Sequence, residues 1–116
     1  MEKNCWKEVP FDKMQAWQKV FGEITAGIRV PGACPVCGEA ALRHYYYLGR
    51  PMPQEIRGVR FQSRGSVWEW CANCRTFSHS QALVPEIWKE VLPNLDHFKL
   101  TPIPDVIEDM VAAAGI

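Results

Sequence analysis

The sequence predicts an α+β fold: a small antiparallel sheet with one helix before it and one or two helices after it. Three observations carry this. Apolar residues recur at helical steps near both ends, the middle breaks into short extended segments, the first of them rich in aromatic residues, and two Cys-x-x-Cys pairs bracket that middle. With 116 residues, 47% of them apolar, the chain suffices for one compact domain and hardly for two. The expected layout is a single domain over 1–116, with a core at about 31–84 and helical flanks at 10–30 and 85–116.

The N-terminal helix is expected within PFDKMQAWQKVFGEITAGIRVP, where Met14, Trp17, Phe21, Ile24 and Ile28 recur at steps of three and four and line one face. Asp12 with Gln15 three residues later makes a capping-box arrangement, and Gly27 and Pro31 supply the stop. Residues 41–48, ALRHYYYL, suit a pleated surface, and GRPMPQE then reads as a loop. IRGVRFQ and SVWEW flank SRGS, whose Gly65 suits a tight turn, so residues 56–70 are expected as a hairpin. RTFSHSQALV supplies a further strand, giving three or four in all.

After the sheet, Pro85 can occupy the first turn of a helix in which Ile87, Trp88, Val91 and Leu92 share a face before Pro93 ends it. A loop through NLDHFKL follows. In TPIPDVIEDMVAAAGI, Val106, Ile107, Met110, Val111 and Ala114 fall at helical spacing, with Asp105 near the positive end of the helix dipole.

The cysteines carry the strongest chemical signal. GACPVCGEA places Cys34 and Cys37 two residues apart, and VWEWCANCRTF repeats the spacing at Cys71 and Cys74 after a gap of thirty-three residues. A Cys-x-x-Cys turn can aim two thiolates at one point while its amides face the sulfurs, and two such turns complete a tetrahedral site for zinc. Pro35 stiffens the first turn, and Gly38 tolerates the left-handed backbone that returns the chain beneath the metal. CANCR has neither proline nor glycine, so its geometry is less well specified. Redox chemistry of the thioredoxin type wants a strand and a helix around the motif, and here the flanks read as a turn between a helix and a strand. Buried cysteines that merely repeat are the remaining alternative.

The CPVCG turn resembles the knuckle of zinc-ribbon and rubredoxin-like proteins, and with CANC the region from residue 34 to about 80 looks like a four-cysteine zinc ribbon. The resemblance implies a structural metal held by Cys34, Cys37, Cys71 and Cys74, zinc by default, with iron the less favoured occupant of the same ligands. The gap departs from the usual fifteen to twenty or so residues, and an inserted strand and loop would account for it. His79 could replace a ligand, although four cysteines already fill the tetrahedron. Cys5 beside Trp6 is a small hydrophobe or a free thiol.

Net charge is zero but unevenly spread: residues 31–75 carry six basic residues against three acidic, and residues 76–116 carry two against six. The six central cations are all arginines, Arg43, Arg50, Arg57, Arg60, Arg64 and Arg75, which favours bidentate pairing with carboxylate or phosphate. Trp68 and Trp70 share a strand face, as do Tyr45 and Tyr47; such aromatics beside arginines could stack bases or form a protein-binding hot spot, but in a domain this small the tryptophans are expected mainly to cover the helices. The sequence has no glycine-rich phosphate loop, no nucleophile elbow and no metal motif with an open position, so a catalytic role is not expected.

Size, uneven charge and the missing catalytic signature are similar to small bacterial immunity proteins that inhibit a toxin by covering it. That resemblance implies a protein partner such as a toxin domain. The contact surface would be Arg57, Arg60, Arg64, Tyr45, Tyr47 and Trp68 in one version, and Asp105, Glu108 and Asp109 in the other, where an acidic face mimics nucleic acid against a nuclease. The alternative partner is RNA or DNA, bound by the same arginines and aromatics. No apolar run long enough to span a membrane exists, and MEKNCWKEVPF lacks the features of a signal peptide, so a cytoplasmic location without a membrane partner is expected.

Overall fold

Two long strands, β2 (Leu42–Ile56) and β3 (Val59–Cys71), form an antiparallel hairpin that dominates the molecule. The structure, a computed structural model, describes residues 6–22, 25–90, 92 and 95–115. Strand β4 (Thr76–Pro85) pairs antiparallel with β3, and the two-residue strand β1 (Lys7–Glu8) pairs parallel with the start of β4. The sheet order is β1-β4-β3-β2, so the sheet is mixed and not purely antiparallel. The cause is local: Lys7 N–H donates to the Arg75 carbonyl at 3.0 Å and Val9 N–H to that of Phe77 at 3.0 Å, which ties the N-terminal segment alongside the second cysteine turn.

Two helices accompany the sheet, α1 (Met14–Val20) and α2 (Asp105–Ala114), with short 3-10 turns at Phe11–Lys13 and His97–Lys99. Successive strand residues point to opposite faces, which assigns the layers. His44, Glu69 and Ser78 are in register and share a face, and Trp17 Nε1–H donates to Ser78 Oγ at 3.0 Å, so α1 covers that face. Arg43 and Trp70 share the other face and both bond Glu108 of α2.

The interior divides accordingly. Tyr45, Trp68, Trp70, Phe77 and Val84 pack with Trp88, Leu92, Leu95, Ile107 and Val111, while Val9, Trp17, Phe21, Val30 and Leu42 pack with Cys34 and Cys71. The cysteines therefore sit in the smaller of two apolar clusters.

Several expected boundaries move. The N-terminal helix ends at Val20, with Phe21 and Gly22 closing it, and does not reach Gly27 or Pro31. No side chain caps it, so the Asp12 and Gln15 arrangement is not used; Asp12 lies in the preceding 3-10 turn. Ile28 is buried, but as an edge segment: its carbonyl accepts from His44 N–H at 2.8 Å, and Val30 N–H donates to Leu42 at 3.0 Å. Ile24 lies outside the described residues.

GRPMPQE is strand and not loop. Prolines are tolerated there because β2 is an edge strand whose outer N–H groups need no partner, and both Pro51 and Pro53 are exposed. The hairpin turn falls at Arg57 and Gly58, with φ of 52° and 82°, between the paired residues Ile56 and Val59. Gly65 lies inside β3, where a Cβ would stand 1.7 Å from the Tyr47 carbonyl oxygen, so close backbone approach at a bulge explains this glycine and a turn does not.

The expected helix after Pro85 is absent among the described residues; a turn follows instead. Gln62 Nε2 donates to the carbonyls of Pro85 and Trp88, and Glu86 N–H donates to the Arg60 carbonyl, so backbone groups a helix would use internally are spent on β3. Val91 and Pro93 lie outside the described residues.

Candidate metal centre

The two Cys-x-x-Cys turns are built alike. In the first, Gly38 N–H closes back onto the Cys34 carbonyl at 2.8 Å; in the second, Arg75 N–H closes onto the Cys71 carbonyl at 2.9 Å. Gly38 and Arg75 both take positive φ, 83° and 60°. A non-glycine residue in that region carries strain, and here it is held from two sides: the Arg75 carbonyl accepts from Lys7, and its guanidinium stacks 5.1 Å from the centroid of Trp6. The second turn thus reaches with tertiary contacts the shape the first reaches with glycine.

Strand ends then bring the turns together. Cys71 ends β3 opposite Leu42, which opens β2 a few residues after the first turn, and Ala72 N–H donates to the Ala41 carbonyl at 2.8 Å. The sulfur atoms of Cys34, Cys37, Cys71 and Cys74 all lie within 4.8 Å of one another, and no disulfide joins them. Cys34 and Cys74 are 3.8 Å apart at sulfur, and Cys37 and Cys71 3.6 Å. Four sulfurs about 2.3 Å from a common centre would have edges of about 3.8 Å. Size and donor set therefore fit a tetrahedral metal ion: four cysteines close together could bind one.

The surroundings bias the thiols in opposite directions. The Asn73 side-chain amide, 3.4 Å from the sulfur of Cys37, and the Glu39 backbone amide favour its thiolate and bring its pKa down to about 6. Burial pushes Cys71 up to about 12 and raises Cys34, although Val36 N–H, 3.3 Å from the Cys34 sulfur, pulls the other way. Thr76 Oγ1 lies 3.2 Å from the sulfur of Cys74. Asn73 and Thr76 were not singled out by sequence. The available signal was position, one between the paired cysteines and one just beyond them.

His79 is not part of the cluster; its ring packs 4.7 Å from that of Trp68. Cys5 lies outside the described residues. Of the other singled-out residues, Tyr45 and Trp68 sit directly opposite each other in the ladder and are buried. Tyr45 Oη donates to Glu90 at 2.5 Å and Trp68 Nε1 to the Thr101 carbonyl at 2.7 Å, so both rings serve the core. Tyr47 is 38% exposed and packs edge-on against His97.

Arg57, Arg60 and Arg64 are exposed along one hairpin, Arg57 in its turn, Arg60 in a loose 3.5 Å pair with Glu86, and Arg64 directly opposite Arg50. On α2, Asp105 bonds its own first turn through Val106 N–H, Asp109 is exposed, and Glu108 is committed to Arg43 and Trp70. The basic and acidic sets thus occupy different elements. No helix among the described residues is long and apolar enough to cross a membrane. Comparison of the chain with models of known protein families, with curated proteins and with solved structures gives no match.

Proposed function

We propose that the chain is a non-enzymatic zinc-ribbon protein that works in the cytoplasm by binding another protein, in the manner of bacterial immunity proteins that neutralise a toxin by covering it. The observation that supports the reading is the four cysteine sulfurs within 4.8 Å of one another: a metal bound by all four would have no position left for water or substrate. Zinc bound there would cross-link the start of β2 to the end of β3, which is a structural task. All-thiolate donors suit zinc, and iron is the less favoured occupant.

The acidic version of the contact surface is the better supported. Asp105 and Asp109 remain free of ion pairs among the described residues, although Glu108 is spent on Arg43 and Trp70, whereas the other version loses two of its aromatic residues, Tyr45 and Trp68, to the core. The test is co-expression with toxin domains encoded beside this chain. Restored growth with one of them and a stable complex on gel filtration is the expected result; no rescue by any neighbour would overturn the toxin-neutralising reading.

One observation favours a second reading, nucleic-acid binding by the hairpin. Arg50 and Arg64 are direct ladder partners, and like charges placed opposite each other cost stability unless an anion lies between them. Affinity for single-stranded RNA that falls steeply with salt and vanishes in Arg50→Ala/Arg64→Ala would support it; salt-independent or absent binding would remove it.

A further inference from the structure

The outer edge of β4 is open over most of its length. Val9 N–H donates to the Phe77 carbonyl, so the odd-numbered residues of β4 turn their backbone groups to this edge. The chain then leaves at Pro10 and becomes α1, and β1 covers only Thr76 and Phe77. His79, Gln81 and Leu83 therefore present N–H and C=O groups for which no partner occurs among the described residues. An exposed edge is ordinarily protected by charge, proline, a bulge or shortness. Residues 76–84 contain no charged residue and no proline, and their pairing with β3 runs in unbroken register from Trp70↔Phe77 to Ser63↔Val84.

The open edge leads into a cleft of about 700 Å³ between the two helical layers. Glu8 and Asp105 supply its charge, Val9, Met14 and Ile103 its apolar wall, and His79 its only other titratable group. Burial holds the His79 imidazole below its usual range, which favours the neutral ring. The cleft therefore carries two negative charges and no compensating cation.

We propose that this edge is a docking site for an extended segment of a partner protein, which adds as a strand against His79, Gln81 and Leu83 and places a lysine or arginine between Glu8 and Asp105. Main-chain pairing supplies affinity and the cleft supplies selectivity. A second copy of this chain would bring the uncharged strand 76–84 to the same edge, with no cation to meet the two acids, so the acids favour a foreign basic segment. The inference takes from the proposed function only that the chain binds another protein.

The test uses the full chain as purified and a library of nine-residue peptides displayed on phage. Selected peptides are expected to alternate β-branched residues and to carry lysine or arginine. Amide shifts on titration with the best peptide are expected at His79, Gln81 and Leu83. Because the Gln81 N–H faces outward, Gln81→Pro removes a docking donor while sparing the ladder to β3. It should weaken the peptide at least tenfold with melting temperature and metal content unchanged, and N-methylation of alternate peptide amides should do the same. Glu8→Gln/Asp105→Asn should reduce the preference for lysine over glutamine severalfold. Selection yielding no peptide, shifts mapping elsewhere, or full affinity in a folded Gln81→Pro variant would overturn the proposal. A dimer in sedimentation that Gln81→Pro dissociates would overturn it in favour of self-pairing. Metal content is read separately, so failure here is distinguishable from failure of the zinc reading.

Discussion

Arg43 and Glu108 join the sheet to the C-terminal helix through one guanidinium nitrogen, Nη1, which lies 2.7 and 2.8 Å from the two carboxylate oxygens. Trp70 Nε1 donates to the same carboxylate at 2.7 Å. Both side chains of the pair are largely shielded, at 18% and 13% exposure. Glu108→Ala would leave a shielded cation and a buried indole N–H unpaired and is expected to cost about 3 kcal/mol. Glu108→Gln keeps an acceptor for Trp70 and should cost less. Denaturant unfolding of both variants checks the order; equal, small losses would show that the pair is not what docks α2.

Gly65 and Gly58 offer a matched contrast. A Cβ at Gly65 would stand 1.7 Å from the Tyr47 carbonyl oxygen, which only backbone displacement relieves, whereas a Cβ at Gly58 meets nothing within 4 Å and faces only a φ of 82°. Gly65→Ala is expected to cost roughly 3 kcal/mol or more, and Gly58→Ala about 1 kcal/mol. Thermal melts of the two variants give the comparison directly.

His44 gives the fold an acid sensitivity of defined sign. Its Nε2–H donates to the Gly27 carbonyl at 2.8 Å, yet burial outweighs that bond and holds the imidazole below its usual range. An unfolded chain binds this proton near pH 6.5 and the folded chain does not, so stability is present above about 6.5 and is lost as pH falls toward the folded value. The slope from this group approaches about 1.4 kcal/mol per pH unit. Glu69 acts oppositely: burial raises its pKa, so its contribution is lost as pH rises through the folded value. Urea unfolding at several pH values should show a shallower acid slope for His44→Gln than for the parent chain.

The cysteine cluster was legible in sequence because a Cys-x-x-Cys turn fixes its own geometry within five residues. Gly38 announced the left-handed position, while Arg75 concealed the equivalent one, since contacts with Lys7 and Trp6 hold it there. The long hairpin was less legible: Pro51 and Pro53 read as loop signals because edge status depends on strand order, which local sequence does not encode. Trp68 and Trp70 share a face and cover helix α2 and the segment at Thr101, as the small size of the domain led one to expect, whereas alternation alone does not say which face is covered. Ile87, Trp88 and Leu92 mimicked a helix because burial of Trp88 against Tyr45 and Tyr46 needs only a turn once β3 binds the nearby carbonyls.

The proposed zinc site predicts that removing the metal unfolds the chain. A structural zinc site supplies on the order of 10 kcal/mol, comparable to the whole stability of a domain this size. Cys71→Ser removes a buried cysteine of the cluster and should abolish cooperative unfolding in far-ultraviolet circular dichroism, and a strong chelator should do the same reversibly. Retained cooperative unfolding in the Cys71→Ser chain would show that the two apolar clusters fold unaided.

The most direct measurement is metal stoichiometry by plasma mass spectrometry on the purified chain after removal of loosely bound ions. A closed four-thiolate site predicts zinc near one per chain and its loss in Cys71→Ser. Neither zinc nor iron near one per chain, with all five thiols of the chain titrating in a folded protein, would contradict a structural metal at Cys34, Cys37, Cys71 and Cys74.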